Sequence, residues 1–188
     1  MARPKEFDVD ATVEAAIEVF REHGFEGTSA QMLVDAMGIG RQSLYDTFGD
    51  KWGVYRAAVQ RYSQSEVQAH AETLRSRGRA IEGIRAMFDR VVAEASRACL
   101  GVSATVEFGC SRPELVKLRE ASSAILFRAV KQAVERAQGE GDVAGELNAE
   151  SLSRFLIATI ATIRLAARAG ATPEQVVDIL GLAMRALR

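Results

Sequence analysis

Apolar positions recur at helical spacing along almost the whole chain, punctuated by glycines and prolines. Val9, Val13, Ala16, Ile17 and Phe20 follow i, i+4, i+7, i+8, i+11, which predicts an amphipathic helix over 8–23, capped by Asp8 or Asp10 and stopped by Gly24. Ala30, Leu33, Val34 and Met37 repeat at i, i+3, i+4, i+7 behind Thr28 and Ser29, whose hydroxyls suit a helix start. Gly38 ends that short helix, because glycine takes the positive-φ turn that a side chain resists, and Gly40 loosens the backbone before a helix over 41–48. The buried side of this third helix is thin, with Leu44 and Phe48 inward and Ile39 plugging the turn.

Asp50 caps a long helix from Lys51 to about Arg77, halted by Gly78. Its stripe opens with Trp52, Tyr55, Ala58, Val59 and Tyr62, then turns polar at Ser65, Glu66, Ala69 and Thr73. Such a face, with His70 beside it, meets solvent or lines a wet cavity. Ile81, Ile84, Phe88, Val91, Val92 and Ala95 predict a helix over 79–98, and the stripe continued one turn reaches Cys99 as a small packing residue. Period alone leaves 101–108 open between helix and strand; with helices on both sides it reads as a short helix closed by Gly109. Pro113 opens a long helix to about Gly139, with Leu115, Leu118, Ile125, Leu126, Ala129 and Ala133 inward. The Gly- and Asp-rich segment 139–148 reads as the clearest flexible connection. Asn148 caps a helix to about Ala169, and Thr172-Pro173 starts a last one to Leu187.

The expected fold is therefore all-α, with a three-helix helix-turn-helix unit over 1–50 and a roughly six-helix regulatory unit over 51–188. The last two helices carry more apolar surface than one face requires: Leu152, Phe155, Leu156, Ile160 and Ile163, then Val176, Ile179, Leu180, Ala183 and Met184. Two such helices per chain are expected to build a four-helix interface in a homodimer.

Composition adds one constraint. The 188 residues are 48% hydrophobic and 26% charged, with a net charge of −1, which suits a globular protein and leaves any nucleic-acid contact to a local patch. Residues 1–51 hold five basic and ten acidic residues, half of the acids on the first helix, whose outer side is expected to face away from DNA. The patch falls on 41–51. Arg41 and Gln42 can make bidentate contacts to base edges, the Ser43 and Tyr45 hydroxyls and the Lys51 ammonium suit phosphate oxygens, and Thr47 points outward beside them. Thr28 and Ser29 complete the DNA-facing set. Arg3 and Lys5 on the N-terminal arm can track a phosphate or enter a minor groove.

This segment resembles the TetR family of bacterial transcriptional regulators. The likeness runs from Phe20-x-x-x-Gly24 through Thr28 and an Ala-x-Gly-type turn to Leu44-Tyr45-Asp46-Thr47-Phe48-Gly49-Asp50-Lys51, about the first quarter of the chain. Gly40, Gln42 and Thr47 depart from the commonest pattern, where Ser or Thr, Gly and His are usual; the fold expectation stands and the operator sequence is left open. The resemblance implies that Tyr45 and Lys51 grip phosphates while Arg41, Gln42 and Ser43 read bases. It also implies a repressor that binds a palindromic double-stranded DNA operator as a dimer, and a small-molecule effector among the middle helices that releases it.

The lining expected for that effector is Tyr62 and Glu66 on the long helix, Phe88, Val92 and Cys99 on the next, Val106 and Phe108 on the short one, and Ile125 and Leu126 after Pro113. Aromatic walls with a few polar groups are usual in such pockets, and a carboxylate at Glu66 would be costly in a dry core. Cys99 and Cys110 form neither a disulfide scaffold nor a metal cage, but either could serve instead as a thiol sensor. A helical ligand-binding protein without DNA activity is the other alternative. No activated nucleophile, carboxylate pair, metal spacing or phosphate-cradling glycine loop is present, so no enzyme, metal or cofactor is expected. No apolar run approaches the roughly 18 residues of a membrane span, and the N-terminus lacks a signal peptide's apolar core, so the expected location is the cytoplasm.

Overall fold

The structure, a computed structural model, describes residues 7–188, so the expectations at Arg3 and Lys5 lie outside the described residues. Among the described residues there are nine helices and no strand: α1 (Val9–His23), α2 (Ala30–Met37), α3 (Arg41–Phe48), α4 (Lys51–Arg75), α5 (Ala80–Ala93), α6 (Leu100–Phe108), α7 (Pro113–Gly139), α8 (Ala149–Arg168) and α9 (Pro173–Arg185). They fall into two compact units, one comprising the chain up to Gln64 with Cys99–Arg119, the other Ser65–Ala98 with Glu120–Arg188. No helix among the described residues is long and apolar enough to cross a membrane.

In the first unit the caps are those the sequence announces. The Asp8 carboxylate accepts the N–H groups of Asp10 and Ala11, the Ser29 hydroxyl accepts that of Met32, and Gly38 closes α2 with φ of 65°. The Asp50 carboxylate accepts the Gly53 N–H at 2.7 Å. Gly53 is itself required, since a Cβ there would lie 1.8 Å from the Phe48 carbonyl oxygen. Behind the three short helices, Phe20, Phe25, Trp52, Tyr55 and Phe108 meet edge-on, tilted or stacked, with centroids 4.9 to 6.5 Å apart. Each fully buried ring or Leu stabilises the fold by ~1.5–3 kcal/mol. The Tyr55 hydroxyl is buried without a partner among the described residues, and burial, helped by the Glu107 charge, pushes its pKa upward.

The second unit packs α5, α8 and α9 with the later parts of α4 and α7 around Ile84, Met87, Phe88, Val91, Val130, Val134, Leu156, Ile163 and Leu187, all fully buried. Here three expectations need correction. α5 stops at Ala93 instead of reaching Ala98: the chain leaves the helix at Glu94, whose carbonyl accepts the Arg97 N–H at 3.0 Å in the turn that follows and Arg164 Nη1 at 2.8 Å. Cys99 consequently does not extend the α5 stripe; it occupies the N-cap position of α6, half-buried in the first unit. Finally, the connection over 139–148 is tied down. Gln138 Nε2 donates to the carbonyls of Ala144 and Leu147 at 2.9 and 2.8 Å, and the Ala144 N–H donates to Leu187 O at 3.0 Å.

Candidate nucleic-acid interface and regulatory sites

α3 is anchored by Leu44, only 1% exposed, and by Ile39 in the turn before it. That anchoring turns Arg41, Gln42 and Tyr45 to solvent, with Ser43 and Thr47 half-buried at their flanks. Gly40, the N-cap residue, supplies no side-chain hydrogen bond, so the first-turn N–H groups of α3 are left to solvent or to an anion. Three side-chain bonds order this face. Arg41 Nη2 donates to Gln31 Oε1 at 3.2 Å, and Gln31 Nε2 in turn donates to Asp35 Oδ1 at 2.8 Å; within α3, Gln42 Nε2 donates to Asp46 Oδ1 at 2.8 Å. Sequence reasoning missed Gln31, Asp35 and Asp46, although Gln31/Asp35 and Gln42/Asp46 both stand at the i, i+4 spacing that brings helix side chains together.

Two members of the expected DNA-facing set are turned inward. Thr28 is 2% exposed and its hydroxyl donates to Gly24 O at 2.6 Å, which removes it from the surface. The Lys51 ammonium donates to the carbonyls of Phe25 and Thr28, both at 2.9 Å, and lies 4.2 Å from the centre of the Phe25 ring. It is a clasp between α4 and the turn before α2, so a phosphate contact would have to use what donor capacity remains. Ser29 stays exposed at the start of α2. Part of the acidic excess on α1 is matched, since Arg61 reaches Glu14 at 2.8 Å and Asp10 at 3.4 Å, and Arg21 reaches Glu18 at 2.8 Å.

The residues expected to line an effector pocket are divided between the two units. Tyr62, Cys99, Val106 and Phe108 belong to the first unit, whereas Glu66, Phe88, Val92, Ile125 and Leu126 belong to the second. Val106 and Ile125 are 71% and 51% exposed, and Phe88 is closed inside the core with Val92 and Leu126 against it. Helical spacing does not report which way each helix is turned. On the polar stretch of α4, Ser65 is exposed, whereas Glu66 is partly buried among charged partners. Glu66 is paired with Arg90 at 3.1 Å and Arg164 at 3.5 Å; these arginines also bind Glu94, and Arg90 Nη2 lies 3.1 Å from Nδ1 of the buried His70. The cost of burying a carboxylate is offset by the chain's own guanidiniums. Arg164 is 2% exposed, and the Nε atoms of both arginines are buried without a partner among the described residues.

The apolar excess on α8 and α9 divides into two faces. Leu152, Leu156, Ile163, Val176, Leu180, Ala183 and Met184, expected at a dimer interface, are buried within this chain's own core, and Ile160 and Ile179 pack against it. What remains outside is Phe155 (43% exposed) and Leu165 (47%) on α8, with Val177 (52%) and Leu182 (60%) on α9. Of the ten residues expected at the interface, Phe155 alone is exposed in this chain. Near α6, Cys110 is exposed; its neighbour is Arg119, with Nη2 3.9 Å from Sγ, whereas Arg112, adjacent in sequence, stacks over Trp52.

A polar helix presented on a buried scaffold, with a short capped helix behind it, defines a helix-turn-helix DNA-reading head. A family model for bacterial regulatory proteins of the tetR family matches residues 13–58. Over 193 aligned residues, all of both chains, the protein is 34% identical to the uncharacterized HTH-type transcriptional regulator YezE of Bacillus subtilis. It is 26% identical to the HTH-type transcriptional repressor ComR of Escherichia coli, across 97% of this chain and 90% of that one. Among solved structures, a cysteine mutant of the TetR family regulator CifR, complexed with 26-bp double-strand operator DNA, superposes with a TM-score of 0.80 at 29% identity over 99% of this chain and 100% of that chain. The chain belongs to the TetR family of transcriptional regulators.

Proposed function

We propose that this regulator is a cytoplasmic repressor that binds a palindromic operator as a homodimer, one α3 to each half-site. The observation that carries this reading is the outward set Arg41, Gln42 and Tyr45 held on a buried Leu44, with Arg41 steered by Gln31. Two-fold pairing is supported by the large apolar side chains left exposed on α8 and α9, Phe155, Leu165, Val177 and Leu182, which a second copy would cover. ComR, a repressor, and CifR, in complex with operator DNA, support the same reading. A small-molecule effector would release DNA by changing the set of α4, which begins at the head and carries Glu66 and His70 further along. The Glu66, Arg90, Glu94 and Arg164 network is where a charged effector would compete for a partner. Selection of bound sequences from random duplex DNA tests the proposal: enrichment of a two-fold symmetric site supports it, and failure to enrich any sequence at low salt refutes it.

A second reading has its own observation. Cys110 is exposed beside the Arg119 guanidinium, a setting for a thiol signal that would replace the reversible effector. Alkylation that abolishes operator binding in the parent but not in Cys110→Ser favours it.

A further inference from the structure

A groove of about 1060 Å3 opens in the second unit between the start of α5, the segment after α7 and the end of α9. Arg85, Arg185 and Arg188 line it above the inward residues Ile81, Val143 and Met184. All three arginines are exposed, and among the described residues their guanidiniums have no hydrogen-bond or ion-pair partner. The one acidic side chain in the lining, Asp142, is already held by Arg79 at 2.6 and 2.9 Å. Nearby Glu140 accepts the Ala80 N–H at 2.7 Å and pairs with Arg136.

The wall is fixed before any guest arrives. Gln138 and Ala144 make the hydrogen bonds that tie the 139–148 connection, and Gly141, with φ of 77°, makes a turn that a side chain resists. Arg185 and Arg188 also suit the carbonyl end of α9, but Arg85 lies near the amide end of α5, where the helix dipole gives a cation no advantage. Three cations around one concavity repel each other until an anion bridges them. Guanidinium forks match phosphate oxygens two at a time, the volume is that of small-molecule sites, and the basic lining favours a charged guest over an apolar one.

We propose that this groove binds a small anion carrying two or more phosphate groups. The assignment is independent of how α3 reads DNA and of the Glu66 network. Isothermal titration of the full chain with inorganic pyrophosphate at low ionic strength is expected to show saturable binding at one site per chain. Arg85→Gln combined with Arg185→Gln should weaken it by about tenfold or more. Arg77→Gln combined with Arg128→Gln removes the same charge from exposed positions outside the groove and should leave it unchanged, with matching melting temperatures showing that both variants fold. Equal weakening in the two double variants, or heat that never saturates, overturns the proposal. Citrate binding as tightly as pyrophosphate would overturn the assignment to phosphate.

Discussion

The Glu107 carboxylate accepts the backbone N–H of Phe25 at 3.2 Å, and its other oxygen accepts that of Glu26 at 3.1 Å. Lys51 holds the carbonyls of Phe25 and Thr28 in the same turn, so the peptide leading into α2 is gripped by a carboxylate from α6 and an ammonium from α4. Glu107→Ala is expected to lower unfolding stability by about 1 kcal/mol, at the low end for a charged acceptor because the site is open to water. Chemical denaturation checks this. An unchanged midpoint would mean that the turn is held without Glu107.

Gly53→Ala is expected to be far more damaging than a surface glycine change. Its Cβ meets the Phe48 carbonyl oxygen, a backbone atom that cannot swing aside. A loss of roughly 1–3 kcal/mol follows from such overpacking, seen as a lower melting temperature. Gly78→Ala, where nothing lies near the missing Cβ, is the control.

His70 predicts the acid limb of the stability profile. Burial first, then the Arg90 and Arg164 guanidiniums, push its pKa from 6.5 down to about 3, against an opposing pull from Glu94. Glu66 also faces the ring, at 3.8 Å. Because the unfolded chain takes up the proton that the folded chain refuses, the His70 contribution is complete above about pH 6.5 and shrinks as pH falls toward 3. The slope is at most about 1.4 kcal/mol per pH unit. Urea denaturation between pH 7 and pH 5 should show this slope in the parent and a flatter one in His70→Gln. Identical slopes would place His70 in water.

Much of this molecule was legible from periodicity and punctuation, because the caps and stops of α1, α2 and α3 are local. What was illegible depended on residues far apart in the chain. Arg164 takes the Glu94 carbonyl 70 positions away at the point where α5 ends, and no spacing within α5 reports that. α8 is apolar nearly all round, so its pattern could not say that Leu156 and Ile163 face this chain's core while Phe155 and Leu165 face outward. The contacts of Lys51 to the carbonyls of Phe25 and Thr28, 26 and 23 positions away, are likewise visible only after folding.

The division of α8 separates two substitutions. Phe155→Glu, on the exposed face, is expected to give folded monomers at micromolar concentration, whereas Ile163→Glu, at 0% exposure, should unfold the chain. Sedimentation with circular dichroism distinguishes them, and a Phe155→Glu protein that remains dimeric would move the interface elsewhere.

The most direct test of the central claim is a fluorescence titration of a selected palindromic duplex with the parent, Arg41→Ala and Gln31→Ala. The account predicts two chains per duplex for the parent. It predicts a loss of about 1–3 kcal/mol of base discrimination at one symmetric pair of positions for Arg41→Ala, and a smaller loss at the same positions for Gln31→Ala, because Gln31 acts only by orienting Arg41. Equal affinity and unchanged base preference in all three proteins would contradict the assignment of α3 as the reading helix.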